Sequence, residues 1–171
     1  NRERQQIEQQ TFEQAIVALG ELSDELSSIV LADERWHSGV IGIVASRLVE
    51  RYHRPTVLIA LEAGQGKGSC RSVSGVHLFQ ALQKCAEPLT GFGGHAMAAG
   101  LSVTEENLPA FTNVFEQVVK QEVGEDALLP SISHDGECHL TELSMAQIIE
   151  LEKLTPFGAG NPQPTFCSRG C

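Results

Sequence analysis

Ten residues, Gly91-Phe92-Gly93-Gly94-His95-Ala96-Met97-Ala98-Ala99-Gly100, limit most strongly what this chain can fold into. Four of them are glycine, and His95 is the one polar side chain among them. A core segment would carry larger apolar residues, and a flexible linker would carry Ser, Asp or Lys. Glycine instead lets a backbone turn through positive φ or come close to a ligand. Ala96 to Ala99 are strong helix formers, so a short helix is expected to start near Gly94. Its first N–H groups would then suit an anion, because free donors and the helix dipole both favour negative charge. The competing reading is a tight turn of helix against strand, with His95 hydrogen-bonded in the interior.

The chain has 171 residues, room for one domain with a sizeable core and a little more. Its formal charge is −10, which argues against a stand-alone nucleic-acid binder. The charge is unevenly spread. Residues 33 to 100 carry seven Lys/Arg against five Asp/Glu, so the segment around the glycines is mildly basic while the flanks are acidic. Such a field accepts a phosphate without forming a broad basic face. Cys70, Cys85, Cys138, Cys167 and Cys171 are odd in number and contain no C-x-x-C pair. They point to a reducing, cytoplasmic setting rather than a disulfide framework. No apolar run has the length of a membrane span, and the polar start is no signal peptide.

Hydrophobic periodicity gives alternating helices and strands. Residues 2 to 27 read as a helix whose first ten residues have only Ile7 as an apolar anchor, and its abrupt start suggests a piece of a longer protein. Ser28 to Ala32 reads as a buried strand, and Ser38 as the N-cap of a helix over Gly39 to Tyr52. Thr56 to Leu61 and Lys67 to Ser72 read as strands joined by a hairpin, with Lys67, Ser69 and Arg71 on one face. Helices over Val76 to Cys85 and Glu105 to Val123 flank a short strand at Leu101 to Val103. The expected fold class is α/β, a mixed β-sheet flanked by helices. Gly124 to Pro130 is the expected domain boundary. Beyond it come a strand (Ser131 to Cys138), a helix (Leu143 to Leu154) and a rigid loop from Pro156 to Pro164, where three prolines and two glycines exclude regular structure.

Convergent donors are what a phosphate needs. Arg71, Ser69 or Ser72, and the N–H groups around Gly94, with His95, are the candidates. Two other clusters offer metal-ligand chemistry, Asp33/Glu34/His37 and His134/Asp135/Cys138/His139, but neither has a recognised ligand spacing. Cys70 beside Arg71 is more readily a buried inert thiol than a nucleophile. No catalytic constellation follows from spacing.

Gly93-Gly94-His95 with the following Ala-Met-Ala-Ala-Gly resembles the glycine-glycine-histidine motif of the DHHA1 domain, the substrate-binding partner of DHH phosphoesterases. Gly68-Ser69-Cys70-Arg71-Ser72 resembles that domain's other substrate-contacting segment. Glu34 to Ala45 and Pro156 to Pro164 are similar to segments of the RecJ-type family of single-strand-specific 5′→3′ DNA exonucleases. The resemblance implies a DHHA1-like domain over 28–123, a linker helix over 1–27 from a DHH domain, and a connector over 124–171 leading into an OB-fold region. It implies Ser69, Arg71, Ser72, Gly93, Gly94 and His95 as contacts to single-stranded DNA. Hydrolysis would use Mn2+ or Mg2+ held by DHH residues, and no Asp-His-His occurs in this sequence. The fragment is therefore expected to be inactive by itself. Alternatives are a relative acting on short oligonucleotides or cyclic dinucleotides, an RNA-binding module like that of alanyl-tRNA synthetase, and a purely structural domain.

Overall fold

A computed structural model describes residues 2–21, 23, 26–123, 128 and 133–170. The chain divides into two compact units, residues 1–129 and 130–171.

In the first unit the elements run α1 (Arg2–Leu19), β1 (Ile29–Asp33), α2 (Ile41–Tyr52), β2 (Thr56–Glu62), β3 (Gln65–Arg71), α3 (Leu78–Lys84), β4 (Leu89–Gly94), β5 (Ala98–Thr104) and α4 (Leu108–Glu122). The five strands form one mixed sheet in the order β1-β2-β3-β5-β4. β1 and β2 are parallel, with α2 as the crossover, and the other pairs are antiparallel. The expected α/β class with a mixed, helix-flanked sheet is what the chain adopts.

Side-chain alternation divides the sheet into two buried faces. Val57, Ile59, Cys70, Ala99, Leu101 and Val103 turn to one side and pack with Leu78, Leu82, Phe111, Phe115 and Val119 of α3 and α4. Leu58 and Ala60 turn to the other, where Ala15 of α1, Trp36 of the loop before α2, and Ile41, Val44 and Leu48 of α2 close over them. Arg47 of α2 fixes α1: its guanidinium lies 3.9 Å from the centre of the Phe12 ring and 3.3 Å from the Glu8 carboxylate. The indole N–H of Trp36 donates to Gln14 at 3.1 Å. Across the molecule, the Glu116 carboxylate of α4 accepts the backbone N–H groups of Ser27 and Ser28 at 2.7 and 2.8 Å, and so pins the entry to β1.

Several boundaries differ from the sequence reading. α1 ends at Leu19, where Gly20 takes φ +64°, not at residue 27. Leu22, Asp24 and Glu25 lie outside the described residues. α2 begins at Ile41 with no side-chain cap, so Ser38 does not act as one. The helix expected from Gly94 does not form, because Leu89–Gly94 and Ala98–Thr104 are two strands of a hairpin. Four helix-forming residues are too few to carry the cost of helix nucleation. Pairing of Ala98–Thr104 with both β3 and β4 instead buries Ala99, Leu101 and Val103. The anion site proposed at that helix start is withdrawn with the helix.

The second unit holds a short parallel pair, β6 (Gly136–Glu137) with β7 (Phe166–Cys167), and one helix, α5 (Met145–Glu152). Ser144 caps α5 with Gln147 in a reciprocal capping box. The expected strand over Ser131 to Cys138 shrinks to its last part, and Ser131 and Ile132 lie outside the described residues, as does most of the boundary Gly124 to Pro130. The proline-rich loop is tied as expected, with the Asn161 amide donating to the carbonyls of Leu154 and Pro156 at 2.7 and 3.0 Å.

Two predictions follow from the packing. Gly94 has φ +148°, and a Cβ there would sit 2.4 Å from the Cα of Ala99, whereas a Cβ on Gly93 would meet nothing within 4 Å. Thermal or urea unfolding should show Gly94→Ala destabilised by about 3 kcal/mol and Gly93→Ala within about 0.5 kcal/mol of the parent. Equal effects would contradict the hairpin. The second concerns Cys70, wholly buried, whose thiol burial pushes up to about 12 from an ordinary value of 9.0. The folded chain then keeps a proton that the unfolded chain loses, so stability is intact below pH 9 and falls above it, by about 1.4 kcal/mol per pH unit. Urea unfolding at pH 8.5 and 10.5 should show a decline about 2 kcal/mol smaller for Cys70→Ala than for the parent, and parallel declines would refute it.

Candidate nucleic-acid interface

Strand register places the candidate residues. Arg71 pairs with Ala98, and His95 donates its backbone N–H to the Ala98 carbonyl at 2.8 Å. Ser69 pairs with Gly100, which pairs with Gly93. Lys67 pairs with Ser102, which pairs with Gly91. Three rows result across β3, β5 and β4, all on the face that α2 partly covers. α2 packs mainly over β2 and β3, and the β5–β4 part of this face is exposed at its glycines. Gly91, Gly93, Gly100, Lys67 and His95 are all exposed.

Nothing in the fold explains the glycines of this open face. A Cβ at Gly91 or Gly93 would meet no atom within 4 Å, and one at Gly100 only a backbone oxygen at 3.7 Å. Glycine inside a strand weakens it, and where packing does not demand it the remaining reason is close approach of another backbone or a ligand. Gly94 is different, since its own hairpin requires it.

One side of this floor is polar and positive. The Arg71 guanidinium donates through Nη1 to Ser69 Oγ at 3.2 Å and to the Cys70 carbonyl at 2.8 Å. Those bonds hold its plane and leave Nε and Nη2 without an acceptor among the described residues, the fork that a phosphate takes. Ser69 accepts from Arg71, so its own O–H is free to donate. The first turn of α2 completes the corner: a Cβ at Gly42 would lie 3.0 Å from both Arg71 Nη2 and Ser69 Oγ. The N–H groups of Ile41 and Gly42 have no acceptor among the described residues, so a positive helix end faces the same place. A helix start does serve this site, but it is that of α2. The signal was present in Gly39-Val40-Ile41-Gly42, where a second glycine sits inside a helical pattern and lets α2 come close to Arg71 and Ser69.

Ser72 is not part of this face. It is buried, and its hydroxyl donates to the Val76 carbonyl at 2.8 Å. Its N–H donates to the Met97 carbonyl, which ties the end of β3 to the hairpin loop. Cys70 points into the core, as the inert reading expects.

Neither metal cluster assembles as the sequence suggested. Both oxygens of Asp33 are held by Arg35, at 2.9 and 2.6 Å, which keeps that carboxyl below its ordinary range. His37 Nδ1 accepts from the Gly39 N–H at 2.9 Å. In the second unit Asp135 accepts from the Thr165 N–H, and His139 pairs with Thr141. The donors that do converge there are His134, Glu137 and Cys167, within 4.8 Å of one another, with Glu137 already paired to Arg169 at 2.7 Å. At the glycine floor the donor set is guanidinium, ammonium, hydroxyl and amide. These suit an anion and not a divalent cation, so Mn2+ or Mg2+ has no ligands on this face.

Comparison with known proteins shows the family of the chain. The DHHA1 domain model matches residues 25–121, and the RecJ OB domain model matches residues 134–171. The single-stranded-DNA-specific exonuclease RecJ of Bacillus subtilis is 35% identical over 96% of this chain and 21% of its own length. RecJ of Dickeya dadantii is 41% identical over 79% of this chain and 24% of its own. RecJ of Thermus thermophilus, solved with Mg2+, superposes with a TM-score of 0.79 at 32% identity, over 96% of this chain and 25% of that one. The same protein solved with Mn2+ gives 0.77. The chain thus spans about a fifth to a quarter of the length of these relatives. It belongs to the DHHA1 domain family, in the form carried by RecJ.

Proposed function

We propose that this chain is the substrate-gripping part of a RecJ-type 5′→3′ single-stranded-DNA exonuclease. The observation that carries the reading is the open row of glycines beside Arg71 and Ser69, which the fold does not need and a sugar-phosphate backbone does. Phosphate oxygens are gripped by Arg71 Nε and Nη2, the Ser69 hydroxyl and the Ile41 and Gly42 amides. The backbone lies on Gly93 and Gly100, and His95 donates from the far side. Ser72 and Gly94 shape the site without touching DNA. Contacts of this kind read the backbone and not the base edges, as expected of an enzyme with little sequence preference.

The division of labour follows from the donor set. Metals that hydrolyse the phosphodiester sit in a DHH domain of the parent protein, and this face presents the strand to them. Residues 1–27, with α1 over Arg2–Leu19, serve as the linker from that domain, 28–123 as the substrate-binding domain, and 124–171 as the connector into the OB-fold region. Among the described residues no helix is long and apolar enough to cross a membrane. A cytoplasmic DNA-processing role accords with the odd number of cysteines and the lack of a C-x-x-C pair in the sequence.

Gly93→Val and Arg71→Ala test the reading in the parent exonuclease. Gly93→Val should leave the melting temperature within about 2 °C yet reduce kcat/KM on 5′-phosphorylated single-stranded DNA at least tenfold, because its side chain fills the floor. Arg71→Ala should lose about 2 kcal/mol of substrate interaction, roughly thirtyfold. Unchanged turnover by both folded variants would remove the site.

A further inference from the structure

Lys67 and the cleft beyond it are not used by the contacts above. Lys67 is exposed and has no ion-pair partner among the described residues. It lies on β3 on the same face as Ser69 and Arg71, and it borders both the glycine floor and a second, more enclosed cleft. That cleft lies between the loop before α2 and the β2–β3 hairpin, lined by Glu34, His37, Ala60, Leu61, Gln65 and Lys67 itself. Since Nδ1 of His37 accepts from Gly39, the ring carries its proton on Nε2 when neutral and has a donor to spare.

The spacing along β3 makes these residues a series. Same-face residues on a strand recur about every 6.7 Å, close to the distance between successive phosphates of an extended nucleic-acid strand. Arg71, Ser69 and Lys67 therefore rise from β3 at one-phosphate intervals; the Arg71 and Ser69 head groups meet 3.2 Å apart and share the first phosphate, and Lys67 stands two intervals along β3 from Arg71. We propose that Lys67 holds a third backbone phosphate, counted from the one gripped by Arg71, and that the adjoining cleft takes the nucleoside attached to it. This rests on the phosphate reading of the Arg71 corner and adds a length requirement to it. Substrates with three or more phosphates engage Lys67, and a 5′-phosphorylated dinucleotide, which has two, does not.

Binding of 5′-phosphorylated oligothymidylates of two, three and six nucleotides to this 171-residue chain tests the inference, with affinities measured at several salt concentrations. Lys67→Ala should weaken the three- and six-nucleotide strands about tenfold and lower their salt slope by about 0.7, while leaving the dinucleotide unchanged. A trinucleotide lacking the base of the unit at Lys67 should bind several-fold more weakly than its parent, and equal binding would take the cleft out of the site. Loss of binding with Arg71→Ala but no length-dependent effect of Lys67→Ala would overturn the third-phosphate subsite and leave the Arg71 corner standing. If the parent chain binds none of these strands, both readings fall together.

Discussion

The pairing of β5 between β3 and β4 is the interaction on which the rest depends. It fixes, by register alone, which side chains share a face: Ala99, Leu101 and Val103 are driven into the core with Cys70 and Val57. The opposite positions, Ala98, Gly100 and Ser102, are thereby forced outward beside Lys67, Ser69 and Arg71. A slip of one residue would turn the apolar set to solvent, so the burial of one face holds the geometry of the other. The open face is in this sense the reverse side of the core.

That arrangement separates two kinds of glycine that look alike in the sequence. Gly94 answers a demand of the fold, because its neighbours in the hairpin leave no space for a side chain and its φ is positive. Gly93, one residue earlier, answers no such demand. Ser72 and Ser69 divide in the same way: one hydroxyl is committed inside to Val76, the other remains at the surface beside Arg71. Residues adjacent in the sequence therefore differ in kind, Gly94 and Ser72 committed to the fold and Gly93 and Ser69 left on the open face.

Much of this was legible in the sequence. The strand alternation of Lys67, Ser69 and Arg71 and the amphipathic periods of α2 and α4 give the α/β class directly. The glycine stretch led to an expected helix near Gly94, and a hairpin of two strands stands there instead. Ala96 to Ala99 favour a helix by propensity, but their partners lie on β3, some thirty residues away in sequence, and long-range pairing overrides local preference. The role of α2's first turn was hidden for a related reason, since Gly42 gains meaning only when Arg71 is seen to pass beneath it. Side-chain commitments such as Ser72 to Val76, or Arg35 to Asp33, are settled by packing and have no signature in spacing.

The most direct test of the account is to follow backbone amide chemical shifts of this chain while a 5′-phosphorylated single-stranded oligonucleotide is added. The account predicts the largest changes at Gly42, Arg71, Gly93, His95 and Gly100, with the amides of α4 and of β1 unmoved. Changes centred on α4 or on β1, with the glycine rows silent, would contradict it.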